Sequence, residues 1–122
     1  MADYRDVLDQ AQLPEGKVVA VTVEGHVIAL ALVQGFPRAF QSLCPHEKAS
    51  LQGAHVEGCT IRCPRHLARF DLDNGQVSAG WRVDPLRLYP ARLRGGWIQV
   101  DVDAVRRTPP EGPRQVWDLS RP

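Results

Sequence analysis

The chain has 122 residues, with 15 basic and 14 acidic side chains and a formal net charge of +1. This length is that of a single domain and leaves no room for a flavin or nicotinamide enzyme with a separate substrate domain. The near-neutral net charge argues against nucleic acid as the main partner, because phosphate binding needs an excess of basic residues clustered on one surface. The longest apolar run, 27–33, is too short to cross a bilayer, and the polar N-terminus has no secretory signal. We therefore expect a cytoplasmic protein with no membrane partner.

The first half of the chain is predicted to contain strands separated by turns. The segments 18–23 and 27–33 are rich in β-branched residues, which favour strands. Glu24-Gly25-His26 lies between them and predicts a short hairpin connection. A single turn of helix is expected within 8–13, before the first of these strands.

A second pair of strands is predicted nearer the C-terminus. Leu86 and Leu88 are separated by one residue, and the apolar residues of 98–102 have the same two-residue period. Gly95-Gly96 lies between the two segments and predicts a second hairpin. No ten-residue stretch combines helical periodicity with good caps, so the predicted fold class is all-β.

The middle of the chain, roughly 41–80, differs from its flanks and holds all three cysteines. We interpret it as a loop-rich insertion carried on an outer β scaffold. Three short strand signals lie within it: 59–63, 69–72 and 76–78. The predicted domain is 1–104, and the stretch 105–122, rich in Pro and Arg, is predicted to be a tail outside the core.

Two short motifs in the insertion combine a thiolate donor with an imidazole donor. Cys44-Pro45-His46 is followed after sixteen residues by Cys63-Pro64-Arg65-His66. Structural zinc usually pairs Cys with Cys and His with His about two to four residues apart, so mixed pairs do not favour one tetrahedral ion. A two-iron cluster fits better, because each motif can give its Cys to one iron and its His to the other.

The chain resembles the Rieske-type [2Fe-2S] ferredoxins over about residues 4–102. The matching residues are Cys44-Pro45-His46, Leu51, Gly53, Val56-Glu57-Gly58, Cys63-Pro64, His66, Phe70-Asp71-Leu72, Asn74-Gly75, Leu13-Pro14-Glu15-Gly16, Leu86 and Tyr89-Pro90. The two ligand pairs at this spacing are the specific part of the signal. The resemblance implies one [2Fe-2S] cluster whose ligands would be Cys44, His46, Cys63 and His66. It also implies the Rieske fold, an antiparallel β sandwich or barrel-like base with an inserted cluster-binding subdomain.

The resemblance further implies a one-electron carrier that is not catalytic alone. Such a protein takes an electron from a flavin-dependent reductase and passes it to a terminal oxygenase acting on an aromatic or other apolar substrate. The system would be an aromatic-ring oxygenase or a toluene-type diiron monooxygenase, with transient contacts and a monomeric carrier. Two alternatives stay open: the small Rieske-like subunit of an assimilatory nitrite reductase, which often lacks the ligands, and a zinc-bound interaction module.

Three features lie outside the predicted ligand set. Cys59 is at a position that the family does not use for metal, and we predict a partly buried thiol without a redox role. Lys48, Arg65 and Arg69 are candidates for a basic rim that steers an acidic partner, although the abundance of Arg in this chain explains them equally well. The tail segment 116–119 has a single apolar patch that would either pack back on the barrel or dock on a partner.

We predict a reduction potential of about −150 mV, at the negative end of the Rieske range. High-potential members of the family carry a Ser and a Tyr shortly after the second His, and hydrogen bonds to the cluster sulfurs raise the potential. The corresponding residues here, Ala68 and Phe70, have no side-chain donor. The disulfide that braces those members cannot form between the matching residues Ala49 and Arg65. A redox titration monitored by EPR measures the potential, and a value well above zero would contradict this reasoning.

Overall fold

The computed structural model describes residues 2–43, 50–63, 68–78 and 85–110, and most of their regular structure is antiparallel β-strand. The strands are β1 (Tyr4–Asp9), β2 (Val18–Val23), β3 (His26–Val33), β4 (Phe36–Gln41), β5 (His55–Glu57), β6 (Thr60–Arg62), β7 (Arg69–Asp71), β8 (Leu88–Tyr89), β9 (Ala91–Arg94) and β10 (Trp97–Asp101). A 3-10 turn, Gln10–Gln12, follows β1, and a short helix, α1 (Val102–Arg107), follows β10. The strands form three sheets, in the orders β1-β10-β9, β2-β3-β4-β8 and β5-β6-β7. The predicted all-β class is confirmed, and no helix in the described ranges is long and apolar enough to cross a membrane.

Strand β3 lies at the centre of the fold, because both of its faces are buried. The four consecutive residues 28–31 have no exposed surface, and successive side chains of a strand point to opposite faces. Two separate core clusters result. They contain Ile28, Leu30, Ala39, Tyr89, Ile98 and Val100 on one side, and Ala29, Ala31, Phe40, Leu51, Ile61 and Phe70 on the other. The four-stranded sheet is therefore a middle layer between the β1-β10-β9 sheet and the insertion.

The hairpin predicted between β2 and β3 is confirmed, but its turn is one residue shorter than predicted because His26 belongs to β3. Val23 pairs with His26, so the turn has two central residues, Glu24 and Gly25. Both have positive φ, 53° and 81°. That geometry matches the right-handed twist of the flanking strands and is the one that two-residue hairpin turns favour.

The second hairpin differs from the prediction. Gly95-Gly96 joins β9 to β10, whereas the segment that includes Leu86 and Leu88 takes no part in it. Leu88 and Tyr89 pair instead with β4 in the four-stranded sheet. The chain changes sheets at Pro90, between β8 and β9. A two-residue period indicates an extended segment but does not identify the strand with which it pairs.

The chain also stays in the core beyond the predicted boundary at residue 104. Helix α1 begins at Val102, and both Val102 and Val105 are buried in the cluster that contains Ile98. The helix has only six residues, too few for a helical period to be visible in the sequence. Residues 111–122 lie outside the described part of the chain, so the predicted tail stays a prediction there.

Asp101 ties this helix to the start of the chain. The carboxylate is 4% exposed and accepts hydrogen bonds from the N–H groups of Asp103, at 3.1 Å, and of Asp3, at 2.8 Å. Burial alone would raise the pKa of Asp101, but hydrogen bonds from the N–H groups of Asp3, Ala104 and Asp103 together lower it below its ordinary value. The ionised carboxylate therefore caps α1 and holds it against the strand that follows Asp3.

Replacement of Asp101 by Ala is expected to lower the free energy of unfolding by about 2 kcal/mol at pH 7, because the backbone N–H groups that donate to this carboxylate lose their acceptor in a buried place. A carboxyl with a lowered folded-state pKa stabilises above its unfolded pKa of about 3.9, and this contribution is lost as the pH falls through the folded-state pKa. The difference between the two proteins should therefore shrink at low pH. Denaturant unfolding at pH 7 and below pH 4 measures both effects.

Asp103→Ala is the matched control. Asp103 pairs with Arg107 at 3.0 Å on the helix surface, and such exposed pairs contribute about 0.5 kcal/mol or less. An equal decrease in the free energy of unfolding of the two variants would contradict the role given to Asp101.

Candidate metal centre

The small sheet β5-β6-β7 carries the candidate site. Strands β5 and β6 are joined by a tight turn in which Gly58 has φ of 56°. Ile61 of β6 lies opposite Phe70 of β7, and both side chains are fully buried. Val56 of β5 packs against the same cluster. This apolar face fixes the small sheet against the four-stranded sheet, and the ends of its strands are positioned as a result.

Cys63 is the predicted ligand that lies within the described residues. It directly follows β6 and is only 1% exposed. Its N–H donates to the carbonyl oxygen of Ala68 at 3.1 Å, which closes the base of the segment 64–67. Burial disfavours a charged thiolate unless a cation compensates it, so a metal ligand is a chemically consistent role for a cysteine in this place.

The base of a ligand motif is the pair of chain ends on either side of it, and that of the first predicted motif, on either side of 44–49, is closed in a similar way. Leu43 and Ser50 form an antiparallel bridge on either side of the segment 44–49. The next N–H, of Leu51, donates to the carbonyl oxygen of Ser42 at 2.7 Å. The two ends of the segment are therefore held next to each other.

The two bases belong to one core cluster. Leu51, Cys63 and Ala68 are members of the cluster that contains Phe70. The two motifs start from a common apolar layer, as two loops that share a metal cluster must. Three of the predicted ligands lie outside the described residues: Cys44, His46 and His66. Ligation by them stays a prediction, which the positions of the two bases support.

A third segment, 79–84, starts and ends on the same subdomain. The Ser78 N–H donates to the carbonyl oxygen of Arg69 at 2.8 Å, and the Leu86 N–H donates to that of Gly75 at 2.7 Å. Gly75 has φ of +77°, and a Cβ at this position would overlap with the carbonyl oxygen of Leu86. The sequence indicates the turn at Gly75, but the close approach of Leu86 depends on the folded chain.

The third cysteine, Cys59, lies in a polar cluster with Asp71 and Asp73, whose ligand atoms are all within 4.8 Å of one another. Burial, followed by the hydrogen bond with Asp73, raises the pKa of the Cys59 thiol. The hydrogen bond from Cys59, followed by that from Arg38, lowers the pKa of Asp73. Arg38 Nη1 lies 2.7 Å from Asp73 Oδ1. The thiol is therefore protonated at neutral pH, and the absence of a redox role for Cys59 stays a prediction.

Arg69 is the member of the predicted basic rim that lies within the described residues. Its Nη2 is 3.8 Å from the carboxylate of Glu57, which also lies 3.5 Å from Nε2 of His55. All three side chains are exposed, so these pairs add little stability. The carboxylate reduces the positive field that Arg69 presents to an acidic partner, and steering by this residue is weaker than the sequence predicts.

Comparison with known proteins gives a consistent result. The sequence matches the Rieske [2Fe-2S] domain family over residues 3–90. It is 34% identical over 97 residues to the ferredoxin component of the naphthalene 1,2-dioxygenase system of Pseudomonas aeruginosa, which covers 80% of this chain and 93% of that protein. The solved ferredoxin of carbazole 1,9a-dioxygenase from Nocardioides aromaticivorans IC177 is similar with a TM-score of 0.73 at 29% identity, over 81% of this chain and 97% of that one.

A second kind of protein is equally similar in fold. A solved structure assigned as the small subunit of an NADH-dependent nitrite reductase from Mycobacterium tuberculosis has a TM-score of 0.73 at 25% identity, over 82% of this chain and 95% of that one. The fold therefore does not distinguish the two kinds of protein. Only the ligand-type residues of the sequence distinguish them.

Substitution of Gly75 by Ala is expected to lower the free energy of unfolding by more than 2 kcal/mol, about 1–2 kcal/mol from the left-handed backbone and the rest from the overlap with Leu86. The iron bound per chain should fall as well, because the end of the segment 79–84 is displaced. Gly53→Ala is the matched control, since Gly53 has φ of +81° and no atom of the described residues beyond its chain neighbours lies within 4 Å of the added Cβ. Denaturant unfolding and iron analysis of both variants measure the difference. Equal decreases in stability and iron content would contradict the close approach of Leu86 to Gly75.

Proposed function

Because the chain belongs to the Rieske [2Fe-2S] family, we propose that it passes single electrons from a flavin-dependent reductase to a terminal oxygenase acting on an aromatic or other apolar substrate. The chain is an electron carrier and is not itself catalytic. The proposal rests mainly on the 34% identity, over 93% of its length, to the ferredoxin component of a naphthalene dioxygenase system. Similarity in fold alone would not separate this role from that of a nitrite reductase subunit.

The chain holds one Rieske-type [2Fe-2S] cluster. The proposed ligands are Cys44, His46, Cys63 and His66. When bound, the cluster supplies one reversible electron, and two thiolates with two neutral imidazoles leave its oxidised form uncharged, where four thiolates would leave a charge of −2. This ligand set therefore favours acceptance of an electron compared with an all-Cys site.

The described residues support this role through the two bases. The bridge between Leu43 and Ser50 and the hydrogen bond between Cys63 and Ala68 hold the ends of the two segments that carry the proposed ligands. Close packing makes such a layer stiff. A stiff layer keeps the ligand positions constant between the oxidised and reduced states, which favours rapid electron transfer. The burial of Cys63 also keeps water away from the sulfur side of the site.

The proposed contacts with the reductase and the oxygenase are transient, and the carrier works as a monomer. Electron-transfer complexes typically bury less surface than stable assemblies, so a small area around the two ligand motifs is sufficient. The proposed place of action is the cytoplasm, where a reducing environment keeps Cys59 and the cluster thiolates out of disulfides.

The alternative role, as the small subunit of an assimilatory nitrite reductase, is favoured by the equal TM-score of 0.73. The presence of all four ligand-type residues counts against it, because such subunits often lack them. The two roles differ in the partner. Copurification with a large sirohaem enzyme would support the alternative, and reduction by the flavin reductase of an aromatic dioxygenase supports the proposed role.

The ligand assignment is tested by Cys63→Ser and His66→Ala. Each change is expected to abolish the visible absorption of the purified protein and its EPR signal after reduction with dithionite, because the cluster loses one of its ligands. Cys59→Ser is the matched control and is expected to keep both signals and the full iron content. In the unchanged protein the average g value should lie below that of all-Cys clusters.

Transfer of electrons is measured separately, by following the absorption of the cluster with NADH and a dioxygenase flavin reductase, and then with the oxidised oxygenase. The reductase is expected to reduce the cluster, and the oxidised oxygenase to reoxidise it, each within the time of one catalytic turnover of the oxygenase. A colourless protein that contains zinc would contradict the cofactor, whereas a normal cluster that neither partner reduces or oxidises would contradict the proposed role.

A further inference from the structure

One face of the four-stranded sheet has an apolar end that the described part of the insertion does not cover. On this face Ala29 and Ala31 of β3 are fully buried. Val27, two residues before Ala29, points to the same face but is 46% exposed, and the nearby Leu43 is 36% exposed. These two side chains line a groove of about 340 Å³, called here the edge groove, together with Ala20 and the polar side chains of Ser42, Ser50 and Gln52. It lies beside the base of the first ligand motif, since Leu43 directly precedes Cys44.

The chain after α1 is led into the edge groove by two side-chain hydrogen bonds. The hydroxyl of Tyr89 donates to the carbonyl oxygen of Thr108 at 2.6 Å, and the guanidinium of Arg87 donates to that of Pro109. They fix the direction of the chain across the end of the sheet. Pro110, the last described residue, is buried and lines the edge groove. The rest of the chain therefore begins at this groove.

We propose that the C-terminal segment 111–122 packs its apolar side chains into the edge groove. The large apolar side chains of the segment are Val116, Trp117 and Leu119. Val116 is six residues beyond Pro110, and six residues span up to about 20 Å, so the apolar patch reaches any part of the groove. Removal of this surface from water is favourable in proportion to its area.

A larger groove elsewhere does not suit this segment. It has a volume of about 720 Å³ and is lined in part by Phe36, which is 67% exposed. Phe36 begins β4, whereas Ser42, beside the edge groove, follows the end of that strand. The larger groove extends along β4 as far as Ala39, so the nearest parts of the two grooves are about 10 Å apart along the sheet. Because Pro110 lines the edge groove, the segment starts at the favoured groove and would have to leave it to reach the other.

The docked segment adds apolar contacts at the base of the first ligand motif. Leu43 bridges to Ser50 there, and a covered Leu43 is held more firmly than an exposed one. The family match ends at residue 90, so the segment lies beyond the part of the chain that the family shares. The placement does not depend on which proteins exchange electrons with the chain.

Limited proteolysis of the full-length protein with its cluster tests this placement. Trypsin cleaves after Arg114, and the rate of cleavage follows the fraction of time that the segment is undocked. Val27→Asp in the groove and Trp117→Ala in the segment should each raise this rate about tenfold, because each removes one side of the apolar contact. Phe36→Asp is the matched control, an exposed apolar residue outside the edge groove, and should leave the rate unchanged. Mass spectrometry identifies the cleaved bond, and circular dichroism checks that the variants fold.

A second measurement keeps the test independent of any effect on the sheet. In NMR spectra of the oxidised protein, Trp117→Ala should shift the methyl resonances of Val27, because the indole ring is removed from their surroundings. Unchanged resonances together with equal cleavage rates in all variants would show that the segment does not occupy the edge groove. A cleavage rate per molecule that falls as the protein concentration rises would assign the groove to the segment of a second copy and overturn the intramolecular placement.

Discussion

The burial of both faces of β3 is the constraint on which the rest of the structure depends. Most antiparallel sheets have one solvated face, and their strands alternate between apolar and polar residues. In β3 the residues 28–31 are all fully buried, so the four-stranded sheet needs a covering layer on each side. The β1-β10-β9 sheet and α1 supply one layer, and the insertion supplies the other. Neither layer can be removed without exposing a complete apolar face.

The candidate site owes its geometry to this arrangement rather than to its own strands. Strands β5, β6 and β7 have three residues each, and a sheet of this size is marginal by itself. Ile61 and Phe70 attach it to the middle layer, and the bases of both ligand motifs are fixed through the same cluster. Gly75 then brings the end of the third segment against it. An electron carrier benefits from this design, because the segments that carry the proposed ligands are joined to a closely packed core.

The sequence predicted those parts of the fold and site whose signals are local. The hairpin at Glu24-Gly25 could be predicted because its φ angles depend on those two residues. The ligand motifs could be found because Cys and His at short spacing have few structural uses. The pairing of Leu88 and Tyr89 with β4 could not, because period-two patterning says nothing about the partner strand. The cap at Asp101 could not be predicted because one of its donors, Asp3, lies at the other end of the chain.

The sequence by itself determined the all-β class, the family to which the chain belongs, and the two cysteines and two histidines that are proposed as its donor set. These depend on residue type and on spacings of a few residues, which a chain carries before it folds. The tertiary structure alone decided which layers β3 joins, that both ligand bases rest on one cluster, and that the chain beyond α1 is led back beside the first of them. Those contacts join residues far apart in the chain, and only the simultaneous burial of many apolar side chains selects one set of them.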